Sequence, residues 1–580
     1  MIYSKSKRNI FYILGNMKLI QFLLIIAINF TFGQTQTKNN AINQVFNDIV
    51  TAWGSNLEEP DIEINEDADK QRQMGIYLPS SNKIIIDQKA IDICNSFGDD
   101  SLNNLAFILA HELTHRYKEH IWITNEDRNS FKSFSFMNNI KNFNQNQTRR
   151  LEIESEADLK GGFYAYIAGY DALNSAPLLL DSLYKKYNQK NENLIYPSLE
   201  ERKDMCKEQI KKLERLKVIF DASNYALVSG YYKGAQKGFS KILNEKFFSK
   251  EIWNNLGLSY VLEAIEKMDD TTIFAYPFEL DSKSRLNNIN PKFRAIGGIN
   301  KSEIESLINE AIKRFKKANY KISQLNISCC YSLLTKLYNE DSKKRDEYFY
   351  EAENAYNKYK TTLAKEYFKN NMEMQEKFKD NPVKFLVKTK DTSDLATIYV
   401  MNGILSYQKS TDLKNKSIKL FKMAQKLGIN NASINLSIIN SNFRKDPTQK
   451  TQPYLEKIED YDFNQILLTK NFQEPYESYD LDNTHNYKLN VKRFENSTAY
   501  LFTYNRRDPF FIHVTRHQAS KSGIMIDDNI EKLENKYSEK PIKINGNKEN
   551  FLHFPKNKTI FLENKNKITG WLFYKKIDSQ

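Results

Sequence analysis

The sequence predicts a multidomain, mainly α fold: an α+β domain over residues 34–215, a helical repeat region over 216–455 and a small β-rich domain over 456–580, behind a leader at 1–33. Three observations predict it. At 580 residues the chain is too long for one hydrophobic core. Its apolar periodicity changes along its length, from mixed to helical to period two. Every pattern with chemical meaning falls before residue 215. Hydrophobic residues at 40% and charged residues at 27% are ordinary for a folded soluble protein. No apolar run after the leader approaches the roughly twenty residues of a membrane span, so no integral span is expected once the leader is removed.

The leader itself reads as a signal peptide. Lys18 precedes the apolar run from Leu19 to Ile28, and Phe32-Gly33-Gln34 fits cleavage near Gly33, with Met17 as an alternative start. A retained anchor helix is the competing reading, but the apolar run is shorter than a full span. The expectation is an exported chain, periplasmic or secreted, associated at most peripherally with the cell envelope. The net charge of +13 drops to +9 without Lys5, Lys7, Arg8 and Lys18 of the leader, and the remaining lysines are interspersed with Asn, Glu and Asp. Such diffuse charge is a solvated surface first and a weak attraction to anionic envelope surfaces second. No nucleic-acid motif occurs. Cys94, Cys206, Cys329 and Cys330 are too sparse for a disulfide framework and form no Cys-x-x-Cys site; a Cys94–Cys206 bridge and buried free thiols are both open.

Within 34–215 the pattern alternates helices with one clear strand, Lys83 to Asp87. From 216 onward short amphipathic segments come in pairs. Ala235 and Phe239 stand four apart, and Trp253, Leu256, Gly257 and Tyr260 follow with the spacing W-x-x-L-G-x-x-Y. That phasing resembles a tetratricopeptide (TPR) repeat, in which small residues let paired helices approach and aromatics fill the space between neighbours. Ser417, Phe421 and Ala424 repeat it more weakly, and a plain helical bundle is the alternative to a TPR-like solenoid. After about 460, Tyr487 to Val491, Ala499 to Tyr504, Phe510 to Val514, Ile542 to Ile544 and Thr559 to Leu562 carry the period of strands. His513 and His517 in that region read as surface chemistry rather than as a metal site.

The candidate chemistry begins with Asn104 to His115, an apolar helix that ends in His111-Glu112-Leu113-Thr114-His115, or H-E-x-x-H. Four residues advance a helix slightly more than one turn, so both imidazoles project from one face and can grip one ion. Glu112 sits one step round, where its carboxylate reaches a water on the ion rather than the ion. A catalytic zinc site needs a third protein ligand and an open fourth position. A histidine in the metzincin register is absent: Lys118 and Ile121 stand at the turn and ligand places, and His120 is off register. A carboxylate from a following helix is the other source, and Glu152-Ile153-Glu154-Ser155-Glu156-Ala157-Asp158 supplies one. Glu154 and Asp158 share a helical face, so Glu154 can bind the ion while Asp158 accepts a hydrogen bond from a ligand imidazole. Glu152 and Glu156, on other faces, are the alternative ligands, and Ala157, Gly161 and Gly162 permit close approach to the histidine helix.

H-E-L-T-H followed by E-S-E-A-D-L-K-G-G-F-Y-A-Y-I-A-G-Y-D resembles the gluzincins of the CAAX prenyl protease and HtpX type, whose third-ligand signature is E-x-x-A-D. Glu154, Ala157 and Asp158 match it position by position, and Ala168 to Asp171 is similar to the family's A-G-Y-D. Tyr196, Pro197 and Arg202 resemble its H-P-x-x-x-x-R, with Tyr196 in place of the usual histidine. The resemblance covers about residues 75–210 and is nearest the family's soluble periplasmic branch. It implies a zincin-like metallopeptidase domain with one zinc ion per chain on His111, His115 and Glu154. It also implies a zinc-dependent endopeptidase that acts on peptides or unfolded proteins, in envelope protein quality control.

In the mechanism this predicts, Glu112 is the general base, and Tyr196 or Arg202 either helps to hold the oxyanion or holds the domain together. Ile84 to Ile86 is a candidate edge for pairing with an extended substrate, or an ordinary sheet strand. The segment from Asn125 to Asn146 is a lid or a disordered insertion. The rival reading is a periplasmic chaperone or assembly scaffold. It would meet envelope protein partners through the TPR-like surface, with the zinc site structural or weakly active.

Overall fold

Short β-branched runs bounded by turn residues build the first sheet. After helix α1 (41–53), strand β1 (Asp61–Asn65) pairs parallel with β3 (Lys83–Asp87). Strand β2 (Gly75–Leu78) pairs antiparallel with β3 across a turn in which Asn82 has φ +49°. The order is β1-β3-β2, so both backbone edges of β3 are taken within the sheet. Ile84 to Ile86 therefore cannot pair with a substrate, because β1 and β2 already use those hydrogen-bonding groups. The computed structural model describes residues 41–575 apart from 55–56, 68–73, 119–142, 188–198, 269–272, 280–299, 369–370, 390–391, 429, 440–476, 485, 494–496, 504–509, 515–522, 538–540, 545–549 and 555–556. The leader at 1–33 lies outside these residues.

Helices α2 (Gln88–Asn95), α3 (Ser101–Tyr117), α4 (Phe143–Ile167), α5 (Ala172–Lys186) and α6 (Leu199–Ser229) follow. Every residue of α3 from Asn104 to His115 is buried, which is why the turns from Leu105 to Ala110 are apolar on all faces. Helix α4 packs on it through small residues. A Cβ on Gly161 would stand 2.9 Å from the backbone carbon and oxygen of Ala110, and Thr114 Oγ1 donates to the Ala157 carbonyl at 3.4 Å. The run Ala168 to Asp171 ends α4: Gly169 has φ +99° and the Tyr170 N–H donates to the Ala165 carbonyl at 2.8 Å. Only glycine takes that left-handed position without steric cost.

The chain divides into two compact units between Lys211 and Lys212, within α6. The second unit holds α7 (Tyr232–Asn244), α8 (Lys250–Lys267), α9 (Lys301–Ala318), α10 (Lys321–Leu337), α11 (Ser342–Tyr367), α12 (Met372–Asp380), α13 (Pro382–Leu386), α14 (Ser393–Lys409), α15 (Lys414–Lys426) and α16 (Asn430–Ile439). Gly257 of α8 lies under Phe315 of α9, and Gly403 of α14 lies under Phe421 of α15. A Cβ would meet those rings at 2.6 and 2.5 Å. The same close approach thus occurs at both places where the repeat-like spacing appears.

An antiparallel sheet of eight strands follows, in the order β4-β5-β6-β7-β11-β10-β9-β8. Its strands are β4 (Glu477–Asp480), β5 (Lys488–Arg493), β6 (Ser497–Thr503), β7 (Phe510–Val514), β8 (Ile542–Ile544), β9 (Asn550–Phe554), β10 (Thr559–Asn564) and β11 (Lys567–Lys575), with helix α17 (Glu531–Lys536) before β8. The fold is thus mainly helical, with small β-sheets. The sheet and helices of this unit pack together: Tyr225 meets Tyr500 and Tyr231 meets Phe502 edge to face, with centroids 5.8 and 5.6 Å apart. All four cysteines are buried and free, so the Cys94–Cys206 bridge is not formed. Among the described residues no helix is long and apolar enough to cross a membrane.

Candidate metal centre

The four-residue spacing on α3 sets His111 and His115 on one face, with their Nε2 atoms 3.0 Å apart and their rings inclined at 79°. Helix α4 delivers Glu154 to them: Oε2 lies 3.3 Å from His111 Nε2, and Oε1 lies 3.8 Å from His115 Nε2. A zinc-sized ion bonds such atoms at about 2.0–2.2 Å, which sets tetrahedral donors about 3.3–3.6 Å apart. The three side chains offer donor atoms all within 4.8 Å of one another, and this buried group can hold a metal ion. Of the other acids on α4, Glu152 is exposed, and Glu156 turns to Lys118 at 3.3 Å and Lys160 at 3.8 Å.

Behind the donors lies a second layer. Asp158 Oδ1 sits 2.9 Å from His111 Nδ1, which favours a proton on that nitrogen and leaves Nε2 free to bind an ion. Arg202 of α6 donates through Nη1 to Glu154 Oε2 and through Nη2 to Asp158 Oδ1 at 2.8 Å. Cys206 Sγ donates to the other Asp158 oxygen at 3.7 Å. Arg202 is only 7% exposed, so its charge is spent on these carboxylates.

On the other side, Glu112 Oε2 accepts the N–H of Tyr77 from β2 at 2.9 Å. Gly75 makes room there, since a Cβ would stand 3.2 Å from Glu112 Cγ. Neither Gly75 nor Tyr77 was identified from sequence. The available signal was a glycine at the start of a short apolar run, which marks a close backbone approach. Tyr196, His120, His517 and residues 125–142 of the candidate lid lie outside the described residues.

Burial dominates the electrostatics of this cluster. It pushes the Glu112 carboxyl up to about 7, opposed by His111 and reinforced by Glu154. Burial would also raise Glu154, but the Arg202 and His111 charges hold it well below the usual carboxylate range. For His111 burial disfavours the cation, yet Glu154 and Asp158 outweigh it and push the imidazole up to about 10.

Two measurements test this arrangement. A folded pKa raised from 6.5 to about 10 means that protonated His111 contributes stability that is complete below 6.5 and lost as the pH climbs through 10. The melting temperature of the metal-free chain is therefore expected to fall between pH 7 and 10 relative to a His111→Asn variant. Metal uptake at pH 8 should release about one proton per site, read with an indicator dye. Parallel melting profiles and proton-free uptake would rule out the His111–Glu154 pair. Gly161→Ala is expected to destabilise by about 1–3 kcal/mol and to weaken metal affinity, because the added methyl drives α4 away from the Ala110 backbone. Unchanged melting and affinity would show that the helices do not need this approach.

Comparison of the chain with protein-family models, with curated proteins and with solved structures finds no match.

Proposed function

We propose that the chain is a zinc-dependent endopeptidase of the gluzincin type, with His111, His115 and Glu154 as the zinc ligands and Glu112 as the general base. One observation carries the reading: the H-E-x-x-H pair and Glu154 form one buried cluster at zinc-donor spacing, with Glu112 beside them but turned to β2. Bound zinc supplies a Lewis acid that lowers the pKa of a coordinated water to about 7 and polarises a carbonyl.

Glu112, whose carboxyl burial pushes up to about 7 in the metal-free chain, is placed to take a proton from the attacking water and to pass it to the leaving amine. Asp158 orients His111, and Arg202 holds Glu154 and Asp158. Arg202 is thus a positioning residue in this reading and not the holder of the oxyanion. The outward edge of β2, at the end of the sheet and beside Glu112, is where an extended substrate backbone would add a strand. The substrate class is peptides or unfolded proteins of the cell envelope. The glycine-to-aromatic contacts of α8 with α9 and of α14 with α15 support reading that region as TPR-like repeats.

Metal analysis and a cleavage assay on the full chain test the reading together. The purified protein is expected to carry one zinc per chain and to cleave an unfolded casein. It should lose both zinc and cleavage with 1,10-phenanthroline and regain both on adding zinc. Cleavage that survives removal of the metal, or a zinc-loaded chain that cleaves no unfolded protein, would overturn it.

A further inference from the structure

We infer that the helices of the second unit form a binding site for an extended peptide, and that the chain's own residues 273–279 occupy it. Ile273-Phe274-Ala275-Tyr276-Pro277-Phe278-Glu279 lies outside every named helix and strand, yet all seven residues are buried. A buried irregular segment has to satisfy its backbone groups elsewhere. Asparagine side chains do so here. Asn435 of α16 accepts the Ala275 N–H at 2.7 Å and donates to the Ala275 carbonyl at 3.1 Å. Asn326 of α10 treats Glu279 the same way, at 3.0 and 2.9 Å. Asn254 of α8 adds a bond to the Glu279 carbonyl at 2.9 Å, and Asn431 of α16 adds one to the Tyr276 carbonyl at 3.1 Å.

In extended backbone the N–H and C=O of one residue point the same way, so one carboxamide can span both, as a neighbouring strand would. Asparagine is a poor helix former, and a buried one needs its partners. Asn254, Asn326 and Asn435 are nevertheless 0% exposed on their helices, each turned to this segment. Contacts of this kind read backbone and leave selectivity to the side chains. Phe274, Tyr276 and Phe278 alternate along the segment. Phe274 lies 5.3 Å from the Tyr407 ring and 6.1 Å from the Phe421 ring, and Ser332 donates to the Tyr276 hydroxyl at 3.2 Å. Pro277, which has no N–H, falls between the two amides that are read. The ligand class is therefore an extended peptide with aromatic residues at alternate positions, and the resident segment is seated as such a ligand.

A labelled peptide of the sequence Ile273 to Glu279 tests this by fluorescence anisotropy on the full chain. The intact chain is expected to take up none, and a Phe274→Ser, Phe278→Ser variant to bind it. Adding Asn326→Ala and Asn435→Ala to that variant should weaken binding by about tenfold or more. Uptake by the intact chain equal to that of the variant, binding indifferent to the asparagines, or no binding by a variant that keeps its melting transition overturns the proposal. If the variant does not fold, amide exchange in the unaltered chain decides. The Ala275 and Glu279 amides are expected to exchange by local opening, ahead of those in α8 and α10. Exchange of these amides only through global unfolding overturns it.

Discussion

Glu112→Gln is expected to cut peptide hydrolysis by on the order of a thousandfold while the chain still holds one zinc. The substitution keeps the size and the hydrogen-bonding shape of the side chain, so Gly75 and Tyr77 meet nearly the same surface. What disappears is the carboxylate that accepts a proton in the proposed chemistry. Because Glu112 lies outside the His111, His115 and Glu154 donor set, metal content should not change. Progress curves on an unfolded protein, run beside metal analysis of the same preparation, separate the two effects. A variant that retains zinc and cleaves at the native rate would mean that Glu112 moves no proton, and the proposed chemistry would fail with it.

Arg202→Ala is expected to destabilise the metal-free chain by about 3–5 kcal/mol, the usual cost of leaving buried charge without its partner. Glu154 and Asp158 both face Arg202, at 3% and 1% exposure, so neither has solvent to replace the guanidinium. Zinc should restore part of the loss, since a cation on Glu154 offsets the missing positive charge. Arg202→Lys should recover little, because one ammonium cannot reproduce the fork that reaches two carboxylates. Denaturant unfolding with and without zinc compares both variants with the native chain. Equal stability of Arg202→Ala and the native chain in the metal-free state would show that the ion pairs do not support the donors.

Much of the fold was legible because its signals are local. The helices described between 216 and 439 and the period-two strands β5, β6, β7, β8 and β10 follow from side-chain spacing within each segment, whereas the non-helical stretch 273–279 does not. Strand β2 is only four residues long, and β11 has Gly570 in its middle, so neither carries a clear alternation. The sequence showed strand character at Ile84 to Ile86 but not its place in the sheet. That place depends on β1 and β2, which lie elsewhere in the chain.

By itself the sequence determined that His111 and His115 share a face, because a helix repeats about every 3.6 residues wherever it sits. It also determined that Glu154 lies on a different face from Glu152 and Glu156, so that these acids compete for one ligand position. The tertiary structure alone decided that Glu154 meets the imidazoles, that Arg202 stands behind it and that Tyr77 reaches Glu112. Those contacts depend on how closely α4 can lie on α3 at Gly161 and Ala110, a matter of packing between distant segments. The asparagines that hold 273–279 are the extreme case, since Asn435 and Ala275 are 160 residues apart and no local pattern joins them.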